Sequence, residues 1–239
     1  MSSKNTEYFT KENLDEYLKE LGKEYRRLNG KNTPAEIILI GGAAILTGYG
    51  FRDMTTDVDA IIHAASSMKE AVNRVGEKFG LPYNWLNADF MNTNSYTPKL
   101  DEFSVKYKQF ANILNVRVVS AEYLVAMKLC SGRKYKKDLS DVIGILCEHK
   151  KRGVPLTEKD IDRAVCNLYG GWDKISADSI TFIRDALNSD NLENTYQAIR
   201  NEETKSKELL IQFEADYPKI MNTENADTIL KNLKKHEKQ

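Results

Sequence analysis

The sequence predicts an α+β fold in which strands come first and helices follow. Four short apolar segments with strand character fall within residues 34–119, separated by stretches of helical periodicity. Beyond residue 119, apolar residues recur at helical spacing. These observations predict two domains. Residues 1–150 are expected to form an α+β core that begins with a helix, and residues 151–239 are expected to form an all-helical C-terminal domain.

The first predicted helix begins after Thr10, a residue type that caps helix starts, and ends at Gly30. Its apolar side chains recur at helical spacing: Leu14, Tyr17, Leu18, Leu21, Tyr25 and Leu28. The β-branched run AEIILI then predicts a buried strand that stops at two glycines. A short helix over AAILTGYG and a second strand over TTDVDAII follow.

After these elements, SSMKEAVNRVGEKFG has the apolar periodicity of an amphipathic helix. Residues 81–104 mix turn chemistry with aromatic residues and receive no assignment. VKYKQF and LNVRVVS predict two more strands, and Ser120 is expected to cap the helix that begins after them. The later segments are expected to be helical throughout.

Composition excludes several classes of protein. The 35 basic and 35 acidic residues give a formal net charge of +0, which argues against coating nucleic acid by bulk charge. The three cysteines lie far apart and suggest neither a metal knuckle nor a disulfide framework. The polar first twenty residues do not fit a signal peptide, and no apolar run approaches the ~20 residues that span a bilayer. We therefore expect a cytoplasmic protein without a membrane partner.

Two residue pairs make one segment chemically informative. Gly41 and Gly42 follow the first strand, and Asp57 and Asp59 lie on the second. Glycines let a backbone approach a triphosphate, and N–H groups at a helix start bind phosphate oxygens. Two carboxylates two residues apart on a strand point to the same side and can share Mg²⁺. Separately the pairs suggest a turn and a solvated strand face; together they predict a metal–nucleotide site.

The segment GGAAILTGYGFRDMTTDVDAII resembles the signature of the nucleotidyltransferase superfamily, which has a polymerase-β-like fold. The resemblance implies a small mixed sheet flanked by helices, with NTP bound at Gly41 and Gly42. It also implies that Asp57 and Asp59 are catalytic and hold Mg²⁺.

Arg52 and Thr56 match a pattern common in one branch of this superfamily, which contains the AbiEii-type toxins and related minimal nucleotidyltransferases. The segment SAEYLVAMKLCSGRKYKKDLSDVIGIL resembles the same branch, where a helical Lys is followed by Arg and then by Asp-x-x-Asp. The resemblance implies nucleotide-binding roles for Lys128, Arg133 and Asp141, with Asp138 beside them.

The residues of this second segment also have an interpretation of their own. The basic cluster from Lys128 to Lys137 suits a polyphosphate. Asp138 and Asp141 either anchor Lys128 or Arg133 by ion pairs, or Asp138 caps the following helix.

One feature of many active superfamily members has no evident counterpart in the sequence. They use a third carboxylate on a later strand as a base, and VKYKQF and LNVRVVS contain no acid. Asp89, Asp101 and Glu102 are near in sequence but lie outside the predicted strands. One of them fills the role, or the site works with two carboxylates, or catalysis is lost.

Two functional hypotheses follow. The first is an enzyme that uses Mg²⁺ to move an NMP from an NTP to a hydroxyl of RNA, a protein or a small molecule. The resembled branch implies a part in type IV toxin-antitoxin or abortive-infection systems, with a cognate antitoxin as partner. The alternative is a catalytically inactive nucleotide-binding or partner-binding module of the same fold.

Overall fold

The structure is a computed structural model that describes residues 8–222 and 225–236. The chain divides into two compact units, Met1–Leu124 and Val125–Gln239. The expected domain boundary at residue 150 stays a prediction. Among the described residues, no helix has both the length and the apolar character needed to cross a bilayer.

The first unit contains a mixed sheet and its helices. Its elements in chain order are α1 (Lys11–Asn29), β1 (Ala35–Leu39), α2 (Gly41–Gly48), β2 (Val58–His63), α3 (Met68–Phe79), β3 (Leu86–Asn87), β4 (Ser104–Phe110) and β5 (Leu114–Val119). Within the described residues the five strands have the order β3-β2-β1-β5-β4. β1 is antiparallel to β2 and parallel to β5, while β3 is parallel to β2 and β4 is antiparallel to β5. The predicted mixed sheet with flanking helices is confirmed.

The central strand β1 is buried because its side chains are apolar on both faces. Ile37, Ile38 and Leu39 are all buried, as expected for a strand with a neighbour on each side and helices over the sheet. The helix α1 starts as predicted at Thr10, whose hydroxyl accepts the Asn13 N–H while the Asn13 side chain accepts the Thr10 N–H. These local signals place both elements correctly.

The unassigned region 81–104 contains the two-residue strand β3 and two short 3₁₀ helices, Asp89–Asn92 and Pro98–Asp101. β3 is too short for period-two alternation to show in the sequence. Its residue Asn87 pairs with Asp59 of β2, so this region lies beside the candidate carboxylates.

Helices make up the regular structure of the second unit in its described residues. The helix α4 (Ala121–Ser131) crosses the boundary between units, and α5 (Asp138–Lys151), α6 (Glu158–Tyr169), α7 (Ala177–Leu187), α8 (Leu192–Asp216) and α9 (Ala226–His236) follow. α8 packs against α5 and α9. Leu210, Ala226 and Leu230 form a buried cluster at the contact of α8 with α9. The helical C-terminal region is confirmed.

Candidate functional site

The start of α2 offers backbone N–H groups that no side chain caps. Its N-cap residue, Ile40, has no side-chain oxygen, and the first turn contains no acid. Gly41 has φ +53, a left-handed conformation that glycine adopts without steric cost. The N–H groups at this helix start therefore suit an anionic ligand from outside the helix.

The two predicted carboxylates lie beside this helix start. Asp57 immediately precedes β2 and is exposed, and Asp59 lies on β2 and is half-buried. The Ile40 N–H donates to the Asp59 carbonyl at 3.0 Å, which joins the end of β1 to β2. A Cβ at Gly41 would lie only 3.6 Å from Asp59 Oδ2. The structure therefore brings Gly41 and Asp59 together as the sequence pattern predicts.

Gly42 has a packing requirement that the sequence did not show. A Cβ at this position would lie 2.4 Å from Thr55 Oγ1 and 2.7 Å from Arg52 Nη2. The Arg52 guanidinium donates to Thr55 Oγ1 at 3.4 Å, and Thr55 Oγ1 lies 3.3 Å from Asp57 Oδ1. Thr55 was missed at the sequence level because nothing in TTDVD separates a buried threonine from its exposed neighbour Thr56.

A pair of carboxylates suits a hard divalent cation, because Mg²⁺ is bound in proteins through one or two carboxylates together with substrate phosphates. Asp57 and Asp59 fit this donor set. Within residues 8–222 and 225–236, no cluster of three or more His, Cys, Asp or Glu side chains suits a metal ion.

The three candidates for a third carboxylate have different positions. Asp101 contacts His63 Nε2 at 2.8 Å, and His63 ends β2 at the opposite end from Asp57. Glu102 is exposed after a 3₁₀ helix. Asp89 is exposed and lies two residues beyond Asn87, the β3 partner of Asp59. Asp89 is thus the candidate that the sheet register brings nearest to the pair.

The second group of predicted residues forms a buried ionic cluster in the second unit. Lys128 Nζ lies 2.8 Å from Asp138 Oδ1 and 3.0 Å from Asp141 Oδ2. Arg133 donates through Nε to Asp138 Oδ2 at 2.7 Å and through Nη2 to Oδ1 at 3.2 Å. Asp138 and Asp141 are fully buried. The sequence left two interpretations of Asp138 open, an ion pair or a helix cap, and the structure shows ion pairs.

Charge balance in this cluster determines the ionisation of Asp138. Burial by itself would raise the pKa of Asp138, but the Lys128 ammonium and the Arg133 guanidinium outweigh burial and hold that pKa well below its usual range. Asp138 is therefore a carboxylate at neutral pH, and it fixes the two cations in place.

The start of α5 is capped by Glu203 of α8, not by Asp138. Glu203 Oε1 accepts the Leu139 and Ser140 N–H groups at 3.0 and 3.1 Å, and Oε2 accepts the Ser140 hydroxyl at 2.5 Å. Burial raises the pKa of Glu203 to about 7, against the lowering effect of these hydrogen bonds. No sequence signal distinguishes Glu203 among the neighbouring acids of α8, because its partners are more than sixty residues away.

The predicted site residues thus fall into two groups. Gly41, Gly42, Asp57 and Asp59 belong to the first unit, and the ionic cluster around Lys128 belongs to the second. That both groups serve one site stays a prediction.

Comparison with known families adds an independent observation. Residues 16–147, more than half of the chain, match the profile of the family described as "Nucleotidyltransferase of unknown function (DUF6036)". The chain belongs to this family. Neither a curated protein nor a solved structure matches the chain significantly.

Membership of the DUF6036 nucleotidyltransferases confirms the superfamily that the Gly-Gly and Asp-x-Asp pairs resemble. The matched stretch contains both groups of predicted residues, from Gly41 to Asp141. The family description does not extend to the AbiEii-type branch, which stays a prediction.

Proposed function

We propose that the chain binds an NTP with Mg²⁺ at the start of α2 and transfers its NMP to a hydroxyl acceptor. The observation that supports this most is the adjacency of an uncapped helix start at Gly41 and Gly42 to the carboxylates of Asp57 and Asp59. Phosphates and a cation need these complementary surfaces side by side.

Each residue has a distinct part in this proposal. The N–H groups of the first turn of α2 bind phosphate oxygens, and the absence of a side chain at Gly41 keeps that approach open, whereas the space beside Gly42 holds Thr55 and Arg52. Asp57 and Asp59 hold the cation. When bound, Mg²⁺ neutralises charge that develops on the transferred phosphoryl group.

Lys128 and Arg133 are proposed, following the resembled branch, to bind nucleotide phosphates. Asp138 and Asp141 would then be positioning residues, because their buried carboxylates fix the Lys128 ammonium and the Arg133 guanidinium. An Arg fork held on a carboxylate loses little freedom when it binds a second anion.

The acceptor is proposed to be RNA or a protein, following the toxin-like branch that the two motif segments resemble. In that case a cognate antitoxin is the expected partner, and the protein acts in the cytoplasm.

A second candidate function is a catalytically inactive nucleotide-binding module. It is favoured by the position of Asp101, which pairs with His63 at the other end of β2 from Asp57.

A transfer assay separates these functions. The chain is incubated with each α-³²P-labelled NTP, Mg²⁺, total RNA and protein, and label on macromolecules is measured. We expect label with the unaltered chain and at least about a hundredfold less with Asp57→Asn or Asp59→Asn, because a metal ligand is lost. Asp53→Asn, an exposed acid of the preceding loop, is the matched control and should retain transfer. Equal transfer by all variants would refute the mechanism, and Mg²⁺-dependent NTP binding without transfer would support the inactive module.

A further inference from the structure

The Thr55 side chain links the Arg52 guanidinium to Asp57, one of the two proposed metal ligands. Its side chain is only 3% exposed, and its hydroxyl oxygen lies 3.4 Å from Arg52 Nη2 and 3.3 Å from Asp57 Oδ1. The same oxygen occupies the space over the backbone of Gly42, where a side chain would otherwise lie. A buried hydroxyl in contact with an exposed carboxylate is suited to fixing that carboxylate.

The donors and acceptors of Arg52, Thr55 and Asp57 allow only one direction for the two hydrogen bonds that join them. A guanidinium only donates, so the Thr55 oxygen accepts from Arg52. A carboxylate only accepts, so the single hydroxyl proton of Thr55 goes to Asp57 Oδ1. Arg52 therefore favours the orientation in which the Thr55 hydroxyl donates to Asp57.

The backbone around Thr55 is anchored independently of the site. Thr55 and Phe9 exchange two backbone hydrogen bonds, at 2.8 and 2.9 Å, and Phe9 is fully buried with its ring stacked on Trp85. Arg52 Nε also donates to the Met54 carbonyl at 3.2 Å, which holds the guanidinium against the loop. Thr55, in the middle of the chain of hydrogen bonds, and Arg52, at one end of it, are therefore fixed by the core and by the loop backbone.

We propose that Thr55 is a positioning residue that holds the Asp57 carboxylate in the orientation for cation binding, with Arg52 fixing the direction of the Thr55 hydroxyl. The cation-binding part rests on the proposed function, whereas the orientation of Asp57 does not. Partners that orient metal ligands commonly affect metal affinity about ten- to a hundredfold.

The test compares Thr55→Val, which keeps the shape and removes the hydroxyl, with Thr55→Ser, which keeps the hydroxyl. Crystal structures of the metal-free proteins should show Asp57 in one conformation in the unaltered chain and in Thr55→Ser, and displaced or in several conformations in Thr55→Val. Mn²⁺ binding without nucleotide, measured by electron paramagnetic resonance, should weaken roughly tenfold or more in Thr55→Val and stay within about threefold in Thr55→Ser.

Each outcome decides a part of the proposal. An Asp57 carboxylate that keeps its place in Thr55→Val overturns it, as does unchanged Mn²⁺ affinity in that variant when the unaltered chain binds Mn²⁺. If the unaltered chain binds no Mn²⁺, the proposed function loses its metal site, while the Asp57 conformation still tests the role of Thr55. Melting temperatures verify that the variants are folded, and Asp53→Asn is the loop control. In Arg52→Met, the Asp57 side chain should also be displaced or adopt several conformations. An Asp57 side chain that keeps its conformation in that variant removes Arg52 from the proposal.

Discussion

At the scale of single residues, Gly42 shows why the glycine pair has a role inside the protein as well as toward a ligand. A methyl group there would lie 2.4 Å from Thr55 Oγ1, closer than any van der Waals contact. Arg52 is long and flexible enough to move, but Thr55 is buried and its backbone is paired with Phe9. The close approach is therefore relieved only if Thr55 or the backbone of α2 shifts.

We expect Gly42→Ala to lower the free energy of unfolding by about 1–3 kcal/mol, because overpacking forces Thr55 or the α2 backbone to shift. Urea denaturation measures this change. Gly50→Ala is the matched control: a Cβ there meets no atom within 4 Å, and the expected change is within about 0.5 kcal/mol. Equal losses in the two variants would show that Gly42 is not tightly packed.

Lys128 balances the charge of both buried aspartates. Its ammonium contacts Asp138 and Asp141, and both carboxylates are almost fully inaccessible. Lys128→Met keeps much of the side-chain volume and removes that charge, so we expect a loss of about 3–5 kcal/mol in the free energy of unfolding.

The control for this variant is Lys134→Met. Lys134 pairs with Asp178 at 2.7 Å, but both side chains are more than half exposed, so the expected loss is below about 1 kcal/mol. Chemical denaturation of both variants provides the comparison. Losses of similar size would mean that the Lys128 cluster contributes no more to stability than a surface pair.

At the scale of elements, the start of α5 depends on α8. Glu203 accepts two N–H groups of the first turn of α5, and that turn also holds Asp138 and Asp141. Helix starts leave such N–H groups without intrahelical partners, so a carboxylate from another helix satisfies them. The contact between α5 and α8 therefore fixes the position of the aspartates that hold Lys128.

Glu203 also gives this contact a pH dependence. Because burial raises the pKa of Glu203 from its usual 4.5 to about 7 in the folded chain, the folded state binds the proton more tightly than the unfolded state. The stability contributed by the protonated group is fully present below about pH 4.5 and is lost as pH rises through about 7.

We expect Glu203→Gln to remove the loss of stability that accompanies rising pH. The free energy of unfolding of the Gln variant, relative to the unaltered chain, should rise by up to about 3 kcal/mol between pH 4.5 and pH 8. Urea denaturation across that range measures the difference. Glu202→Gln, whose carboxylate is mostly exposed, should show no such trend. A difference between Glu203→Gln and the unaltered chain that does not vary with pH would contradict the raised pKa of Glu203.

At the scale of the whole molecule, local signals predicted most of the architecture. Thr10 and the β-branched run before Gly41 placed α1 and β1, and the alternation around Asp57 and Asp59 placed β2. The two-residue strand β3 was not predicted, since it is defined by pairing with β2 and not by its own pattern.

The candidate site was predictable to a similar extent. Spacing alone predicted Asp57 and Asp59 on one strand next to the glycines, because the geometry of a strand is local. In the structure Asp59 lies on β2, whereas Asp57 immediately precedes it, because β2 begins only at Val58. Thr55 and Glu203 were not predictable. Their roles come from burial and from contacts between segments, as when Glu203 reaches α5 from α8, and no local pattern encodes such contacts.

The central claim is that the start of α2 and the pair Asp57 and Asp59 form a metal–nucleotide site. A crystal structure with Mg²⁺ and a non-hydrolysable NTP analogue tests it most directly. We expect the triphosphate on the N–H groups of Gly41 and Gly42 and the metal between the phosphates and the two carboxylates. A nucleotide bound elsewhere on the chain, or a metal held without Asp57 and Asp59, would contradict the claim.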